Sequence, residues 1–285
     1  MNSKTIIKII ILILLLASLI TILILGFTGK LNFSWENKTD IIYNETFDNI
    51  RSIETDLTSY DIEIKENNTN ELKVVVSGSK KYAESIEVKS ENNKLLITQK
   101  SSKMCVGLCF FDEKITIYLP KENEIELNHQ SSSGNIDIET TLISGNIKTT
   151  SGDVKINSLN EGIINSTSGN ITIEEGNNLE VSSTSGDITI DKVATLKATS
   201  KSGNQYIEQI KKEVQLSAKS GDITINKFYI TEDSNIKTTS GNVALGLENE
   251  IFINTTTKSG NIDINNTNKE TILNIKTTSG DITAK

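Results

Sequence analysis

Apolar and polar side chains alternate in short runs along most of the chain after residue 45. In these runs every second residue is apolar, as at Ile171 and Ile173 or at Ile188 and Ile190. A period of two places such side chains on one face of an extended strand. Sustained helical periodicity is hard to find after residue 30, so the pattern predicts an all-β protein built from many short strands.

The triplet Ser-Gly-Asn or Ser-Gly-Asp separates these runs and recurs at a nearly constant spacing. From Gly152 onward, successive triplet glycines are 17 to 20 residues apart. A fixed period of this length indicates stacked supersecondary units rather than a closed globule. Each repeat reads as two short strands joined at a Ser-Gly corner. The predicted column of turn glycines consists of Gly134, Gly145, Gly152, Gly169, Gly186, Gly203, Gly221, Gly241, Gly260 and Gly280.

A sharp corner explains the glycine, because glycine adopts a positive φ without a clash at Cβ. The Asn or Asp that follows can close the turn through bonds to nearby backbone groups. One repeat cannot bury its own apolar face, whereas neighbours stacked about 4.8 Å apart can. We therefore predict a single-stranded parallel β-solenoid with turns of 17–20 residues, right-handed by the usual handedness of parallel crossovers.

The residue after the glycine is always Asn or Asp, and in sequence order no two Asp are consecutive from residue 153 onward. Stacked carboxylates would repel, whereas an amide between them can donate to each. Calcium-binding β-rolls need clustered carboxylates and paired glycines, so we expect neither a metal nor a cofactor. The series is Asp153, Asn170, Asp187, Asn204, Asp222, Asn242, Asn261 and Asp281.

The repeat becomes weaker upstream of residue 131 without disappearing. "SYDIEI" (residues 59–64) is the same unit with Tyr60 at the glycine position. Residues 45–130 are therefore predicted to be either irregular first turns or a small β-cap, because a solenoid needs protected ends. Residues 131–285 are predicted to form the regular solenoid.

The first residues of the chain predict a membrane anchor. Ile9 to Leu25 is an uncharged apolar run, and 17 to about 20 residues at a rise of 1.5 Å suffice to cross a bilayer. Lys4 and Lys8 precede the run, which favours a cytoplasmic N-terminus. We assign residues 1–29 to an uncleaved signal-anchor helix and residues 30–44 to a stalk. A cleaved signal peptide is the alternative, but no A-x-A site follows the run.

Charge excludes one class of partner. Without Lys4 and Lys8 the chain retains 27 basic side chains against 37 acidic ones, a net charge of −10. Such a surface repels phosphate backbones, so nucleic acid is a poor partner. Arg51 is the only arginine, which leaves little capacity for bidentate recognition of anions.

The two cysteines and the single histidine offer little chemistry. Outside the membrane a disulfide between Cys105 and Cys109 would persist. An extended strand would hold their Cα atoms roughly 13 Å apart, but Gly107 can fold the loop back, so both a local disulfide and two free thiols remain open. His129 is expected to be an ordinary surface or loop residue, and no catalytic residues are assigned.

Several stretches resemble the bacterial putative-adhesin family of β-strand repeats. They are the N-terminal anchor, "FDNIRSIETDLTSYDIEI", "ITIYLP" and the run of "SGNIDI", "SGDVKI", "SGNITI" and "SGDITI", and the resemblance covers roughly residues 45–285. The family includes LiaG-like membrane-anchored proteins near envelope-stress systems of Gram-positive bacteria. The resemblance implies a β-helical surface domain with an adhesive or envelope-stress role and no catalytic motif. In "SGNQYIEQI" Gln205 replaces the usual Ile or Val, which predicts a bulge or a shifted register.

These observations favour a non-enzymatic binding or scaffold module on the extracellular side of the membrane. Its partner would be a cell-wall polymer, a host surface or an envelope protein. One alternative is a polysaccharide hydrolase or lyase, since outward carboxylates such as Asp137 and Asp263 recur along the repeat. A second alternative is a structural spacer.

Overall fold

Twenty β-strands and no helix make up the part of the chain that the structure, a computed structural model, describes: residues 40–78, 85–100, 113–121, 124–265, 267 and 269–285. Residues 39–285 form one unit with its own core. The strands are β1 (Asp40–Phe47), β2 (Ser52–Leu57), β3 (Asp61–Asn67), β4 (Leu72–Gly78), β5 (Ile86–Glu91), β6 (Lys94–Gln99), β7 (Lys114–Pro120), β8 (Glu126–Ser131), β9 (Ile136–Thr149), β10 (Val154–Ser166), β11 (Ile171–Ser183), β12 (Ile188–Ser200), β13 (Gln205–Ser220), β14 (Ile223–Phe228), β15 (Ser234–Ser240), β16 (Val243–Leu247), β17 (Phe252–Thr256), β18 (Ile262–Ile264), β19 (Ile272–Lys276) and β20 (Ile282–Ala284).

Equivalent strands of successive turns pair in parallel, which confirms the predicted parallel β-solenoid, and the solenoid has about nine turns. In the middle of the solenoid, β10, β11 and β12 each contain both strand runs of a turn, and they pair along their whole length. Val154, Ile171 and Ile188 therefore lie directly above one another. This register keeps every inward position of one turn over an inward position of the next.

The core runs through all the turns. Ile171, Ile173, Leu179 and Val181 are at most 1% exposed, and their equivalents in neighbouring turns are buried in the same way. Burying one such side chain contributes roughly 1.5–3 kcal/mol. Because each side chain packs on the turns above and below, no turn is stable by itself.

At the C-terminal end the spatial order of the turns differs from their order in the sequence. β19 lies between β15 and β17, and β20 lies between β16 and β18. The last turn of the chain is therefore inserted between the two turns that precede it. The strand pattern alone does not predict this insertion.

At the N-terminal end the spatial order of the turns also differs from their order in the sequence, and antiparallel strands cap the stack. The turn formed by β2 and β3 lies between β6–β7 on one side and β8–β9 on the other. Beyond it the strands are antiparallel: β5 pairs with β6, β4 pairs with β7, and β1 pairs with β4. Residues 45–130 thus contain both irregular turns and antiparallel capping strands.

Close backbone approach explains most of the glycine column. A Cβ built on each of nine column glycines would lie 1.9–2.3 Å from the carbonyl oxygen of the column residue in the adjacent turn. Only Gly260 (φ 150°) and Gly280 (φ 152°) have the expected positive φ. At the other seven, glycine is needed because the neighbouring backbone occupies the space of a side chain. The column begins at Tyr60, whose carbonyl oxygen is the atom that Gly134 meets.

Gly145 does not belong to this column. It lies inside β9, in register with Leu127 on one side and Gly162 on the other. A Cβ at Gly145 would lie 3.2 Å from Cδ1 of Leu159 rather than against a backbone carbonyl. The Ser-Gly-Asn triplet at residues 144–146 therefore belongs to a strand and not to a corner.

The Asn and Asp residues that follow the column form a continuous hydrogen-bonded ladder. From Asn135 onward, the backbone N–H of each residue donates to the side-chain Oδ1 of its neighbour on one side at 2.7–3.0 Å. The sequence predicted that side-chain amides would donate to the carboxylates on both sides, but the donors are backbone N–H groups. The alternation of Asn and Asp is stricter in space than in the sequence. In spatial order the ladder is Asp61, Asn135, Asp153, Asn170, Asp187, Asn204, Asp222, Asn242, Asp281 and Asn261.

The sequence predicts a bulge or a shifted register in the turn of Gly203, and β13 does have a register shift, between Ile210 and Glu213, whereas Gln205 itself fits the solenoid without one. It stays in register with Ile188 and Ile223 and is 1% exposed. Its Nε2 donates to the Ser217 carbonyl at 2.8 Å and to Ser200 Oγ at 3.3 Å. Ala218 is in register with Ser200, and its small side chain leaves room for the longer glutamine.

Several sequence predictions lie outside the described residues. These include residues 1–29, most of the stalk, Cys105 and Cys109. Across the described ranges no helix is long and apolar enough to cross a membrane.

Paired cysteines test the inserted last turn. Ser240 and Ser279 form a parallel bridge, so their Cα atoms lie about one strand spacing (~4.8 Å) apart, within disulfide reach. The test uses a chain that also carries Cys105→Ser and Cys109→Ser. In it, the cysteine pair Ser240→Cys/Ser279→Cys should cross-link under mild oxidation, as seen by non-reducing electrophoresis. Ser240→Cys with Ser259→Cys spans two spacings (~9.6 Å) and should not. Cross-linking of only the second pair would contradict the insertion.

Substitution of one column glycine tests the close approach. In Gly186→Ala the new Cβ would lie 2.1 Å from the Gly169 carbonyl oxygen, and the backbone cannot move aside cheaply. We expect a loss of about 2–3 kcal/mol in the free energy of unfolding, measured by chemical denaturation. Gly145→Ala is the matched control and should cost less than about 1 kcal/mol, because the Leu159 side chain can adjust. Equal losses would refute the assignment.

Candidate functional site

A shallow trough lies on one face of the solenoid. It has a volume of about 420 Å³ and crosses β8, β9, β10 and β11. A second hollow of about 330 Å³, over β2, β8 and β9, shares Asn128 and Asn146 with it, so the two form one continuous surface. We call the first hollow the polar trough. It is lined by Glu126, Leu127, Asn128, Ser144, Gly145, Asn146, Glu161, Gly162, Ile163, Asn178 and Glu180.

Two glycines in an inward row lie at the centre of the trough. Leu127, Gly145, Gly162 and Leu179 occupy equivalent positions of successive turns. The side chain of Leu159 fills the space beneath, since a Cβ on Gly162 would lie 2.3 Å from its Cδ2. Gly145 and Gly162 thus contribute no side chain to the interior, and the Leu159 side chain occupies that space.

Three amide side chains in the trough have no partners within the described part of the chain. Asn128, Asn146 and Asn178 point outward, and none makes a side-chain hydrogen bond to a described residue. Each amide offers two donors and one acceptor. The exposed side chain of Ile163 adds an apolar contact beside them. The trough can therefore hydrogen-bond a polar ligand without first breaking internal bonds.

The carboxylates of the trough differ in their pairing. Glu180 forms an ion pair with Lys197 at 2.8 Å. Glu126 and Glu161 form no ion pair with any residue in the described ranges, and both are exposed. They occupy the same row two turns apart, with Ser144 between them, so their backbones are roughly 10 Å apart. The trough thus keeps two uncompensated negative charges.

The structure does not bring together the outward carboxylates considered as catalytic from sequence. Asp137 lies near Lys155, at 3.9 Å, and Asp263 forms an ion pair with Lys285 at the far end of the solenoid. Among the described residues no group of three His, Cys, Asp or Glu side chains could hold a metal ion.

His129 is buried, so its prediction as a surface or loop residue is wrong. It lies in an inward row of β8 between Thr55 and Ile147 and is 3% exposed. Its Nδ1 is 2.7 Å from Thr55 Oγ1, while its Nε2 has no partner among the described atoms. Desolvation by burial lowers the pKa of His129 to about 4, so the ring is neutral at pH 7. The residue is a structural part of the wall at the second hollow.

The chain belongs to the Toastrack DUF4097 family, whose family model matches residues 50–252 and 175–285. This assignment agrees with the repeat family that the sequence resembles. No curated protein is similar enough to the chain to count as a match.

Three solved structures resemble the chain. A "putative adhesin" from Parabacteroides merdae is 14% identical with a TM-score of 0.52, and the match covers 86% of this chain and 97% of that one. A "putative adhesin" from Bacteroides fragilis is 17% identical with a TM-score of 0.49 and coverages of 87% and 99%. A "putative lipid binding protein" from Parabacteroides distasonis is 15% identical with a TM-score of 0.48 and coverages of 85% and 96%. At these identities the likeness concerns the fold.

Sequence reasoning missed the polar trough. Alignment of the Ser-Gly-Asn/Asp triplets placed Gly145 in the corner column. Nothing in the sequence pattern indicates that Asn128, Asn146 and Asn178 share one face. The off-period spacing of Gly145, 11 residues after Gly134 and 7 before Gly152, was the available hint.

The buried His129 predicts a stability loss in mild acid. Its pKa is about 4 when folded and about 6.5 when unfolded, so the unfolded chain binds more protons between these values. The stabilisation is fully present above pH 6.5 and is lost as the pH falls towards 4, by up to about 3 kcal/mol. The free energy of unfolding should be measured against pH for the wild type and for His129→Leu, in which this dependence is absent. A constant difference between the two would disprove the effect.

Proposed function

We propose that this chain is a membrane-anchored, extracytoplasmic binding module that holds a segment of a polar envelope polymer in the trough without altering it chemically. The observation that carries the proposal is that the side-chain amides of Asn128, Asn146 and Asn178, on a rigid β-surface, have no hydrogen-bond partner among the described residues. Because the strands are fixed by pairing on both sides, these groups are positioned before the ligand arrives, and binding costs little ordering.

The chemistry of the trough defines the class of ligand. Amides and carboxylates can bind hydroxyl and acetamido groups, which supply both donors and acceptors. The free carboxylates of Glu126 and Glu161 repel phosphate-rich polymers. A glycan of the cell wall, rich in hydroxyl and acetamido groups, therefore fits better than an anionic polymer.

The sequence supports the location of the module. The uncharged run from Ile9 to Leu25, with Lys4 and Lys8 before it, favours an anchor with the solenoid outside the cell. The resemblance to LiaG-like proteins favours a role beside an envelope-stress system, in which glycan binding would report on the state of the wall.

One observation favours a second function, polysaccharide hydrolysis. Glu126 and Glu161 lie two turns apart, and that spacing of roughly 10 Å is close to the separation of about 6.5–9.5 Å between the carboxyl groups of inverting glycosidases. Against it, the two side chains are exposed, and no described residue covers them. We therefore rank binding first.

Soluble peptidoglycan fragments test the proposal. Titration of residues 39–285, followed by calorimetry, should show binding that weakens about tenfold in the double variant Asn128→Ala/Asn146→Ala, because each lost hydrogen bond contributes about 0.5–1.5 kcal/mol. Asn235→Ala is the matched control, since Asn235 is exposed on the same face outside the trough. Its affinity should equal that of the wild type.

The same samples separate the two functions. Under the binding proposal the fragments are recovered intact, as judged by mass spectrometry. Release of shorter glycans that stops in Glu126→Gln or Glu161→Gln would establish hydrolysis instead. No binding, or equal weakening in the trough variant and in Asn235→Ala, would remove the trough as the site.

A further inference from the structure

Lysines without ion-pair partners lie on one face of the solenoid in its C-terminal turns. In five neighbouring turns, the strand run that leads into the glycine corner contains no Asp or Glu. In stacking order the runs are LKATSKS (residues 196–202), VQLSAKS (214–220), SNIKTTS (234–240), LNIKTTS (273–279) and INTTTKS (253–259). Five of their six lysines are exposed and form no ion pair with any described residue. We call these five the lysine strip: Lys201, Lys219, Lys237, Lys276 and Lys258.

The lysine strip is long and narrow. Lys237 and Lys276 are in register on β15 and β19. Lys201 and Lys219 are neighbours in adjacent turns, since the backbone N–H of Ser220 donates to the Lys201 carbonyl at 2.9 Å. The five turns span four strand spacings, roughly 19 Å, and the two columns of lysines lie two residues apart along the strand, roughly 7 Å. The positive groups therefore follow the axis of the solenoid.

The lysine strip departs from the way in which the solenoid pairs its other charges. Several lysines elsewhere pair with an acidic residue of the adjacent turn, as Lys197 does with Glu180 at 2.8 Å. In the strip, Lys237 has Lys276 as its cross-strand neighbour, and like charges in that position destabilise a sheet. Departures from the local rules of a fold are expected at functional sites, so this repulsion points to a negatively charged partner.

Carboxylates flank the lysine strip without pairing with it. Asp222 and Asp281 lie at the adjacent corner, where Oδ1 of each accepts a backbone N–H of the ladder at 2.7 Å. Glu213 and Asp233 precede two of the runs and accept hydrogen bonds from described residues at 3.0 and 2.9 Å. On a chain with 37 acidic and 29 basic side chains, the strip is therefore a local positive surface.

We propose that the lysine strip is a second binding site, which holds a linear phosphate-bearing polymer along the axis of the solenoid. Lysine binds phosphate as a point charge, so a line of ammonium groups can contact successive charges of such a polymer. Between the lysines lie exposed hydroxyl groups, such as those of Thr199 and Thr239, which can donate to phosphate oxygens. The planar fork of arginine, which matches a carboxylate, is absent from these runs.

The lysine strip and the polar trough are separate sites with different ligands. Both lie on the same face, since Lys237 follows the outward Asn235 by two residues on β15, but they share no residue. The unpaired carboxylates of Glu126 and Glu161 repel the phosphate polymer that the strip attracts. The strip therefore adds a ligand class that the trough does not take.

The surroundings of the lysine strip favour a polymer over a membrane or a nucleic acid. A membrane-binding surface adds apolar side chains to its basic ones. Among the described residues, the large exposed apolar side chains all lie outside the five runs. The runs also contain no aromatic residue on which a base could stack.

Binding of a labelled linear polyphosphate, followed by fluorescence anisotropy, tests the proposal. The protein is residues 39–285, the unit with its own core. By the counterion-release rule for flexible strands, five contacts give a slope of log affinity against log salt of about −3.5, so affinity should fall about a hundredfold between about 50 and about 200 mM salt. Lys237→Gln/Lys276→Gln should weaken binding about tenfold or more at the lower salt and reduce the slope to about −2.

A matched control separates the strip from the net charge of the protein. Lys192→Gln/Lys211→Gln removes the same charge from two exposed lysines that line a different hollow, and its affinity should stay within about twofold of the wild type. Asn128→Ala/Asn146→Ala should bind polyphosphate as the wild type does, so failure of the trough proposal and failure of this one are distinguishable. Should Lys237→Gln/Lys276→Gln lose its β-sheet circular dichroism, Lys201→Gln/Lys219→Gln replaces it.

Each other outcome overturns the proposal. No binding of polyphosphate, binding insensitive to salt, or equal losses in the strip variant and the lysine control would each remove the strip as a site. Vesicles of phosphatidylglycerol that bind as tightly per phosphate, and lose binding in the strip variant, would assign the strip to a membrane surface. Salt-sensitive dimers of the protein alone that disappear in the strip variant would assign it to a second copy of the chain.

Discussion

The close contact between corner backbones of successive turns is the constraint on which the rest of the structure depends. A glycine in one turn lies so near the carbonyl of the next that no Cβ fits between them. This contact holds neighbouring turns in one register at the corner, and a shift of one residue would turn every inward side chain outward. Because the corner is fixed, the inward rows align and a continuous core forms from turns that cannot fold singly.

The ladder beside the column links local chemistry to topology. Along the axis of the solenoid, Asp and Asn alternate without exception, so no carboxylate neighbours another and like-charge repulsion stays small. In sequence order the alternation is broken, because Asn242 and Asn261 are consecutive. Inserting the last turn places Asp281 between them. The alternation and the strand pairing thus support the same spatial order independently.

The architecture favours recognition over catalysis. Parallel pairing on both sides gives a rigid face, and the polar trough, with Gly145 and Gly162 in its lining, is a shallow hollow in that face. The polar groups that reach this depression are amides and exposed carboxylates. His129 lines the second hollow rather than the polar trough; it is buried, and desolvation lowers its pKa to about 4, so its ring is neutral at pH 7.

Much of the fold follows from the sequence alone. The period-2 runs determined the strands and their inward faces, the 17–20-residue spacing determined the solenoid, and Tyr60 marked the start of the column. These features are local: a few neighbouring residues decide whether a strand forms and which face is apolar.

Only the tertiary structure decided which turns are neighbours, where His129 lies and which polar residues share the trough. Every turn has nearly the same pattern, so any strand could pair with any equivalent strand, and the pattern does not distinguish the inserted last turn from a sequential one. That choice depends on contacts between residues far apart in the chain, such as Asp281 with Asn242. It also leaves Ile262, identical in pattern to its buried equivalents, exposed at the end of the stack.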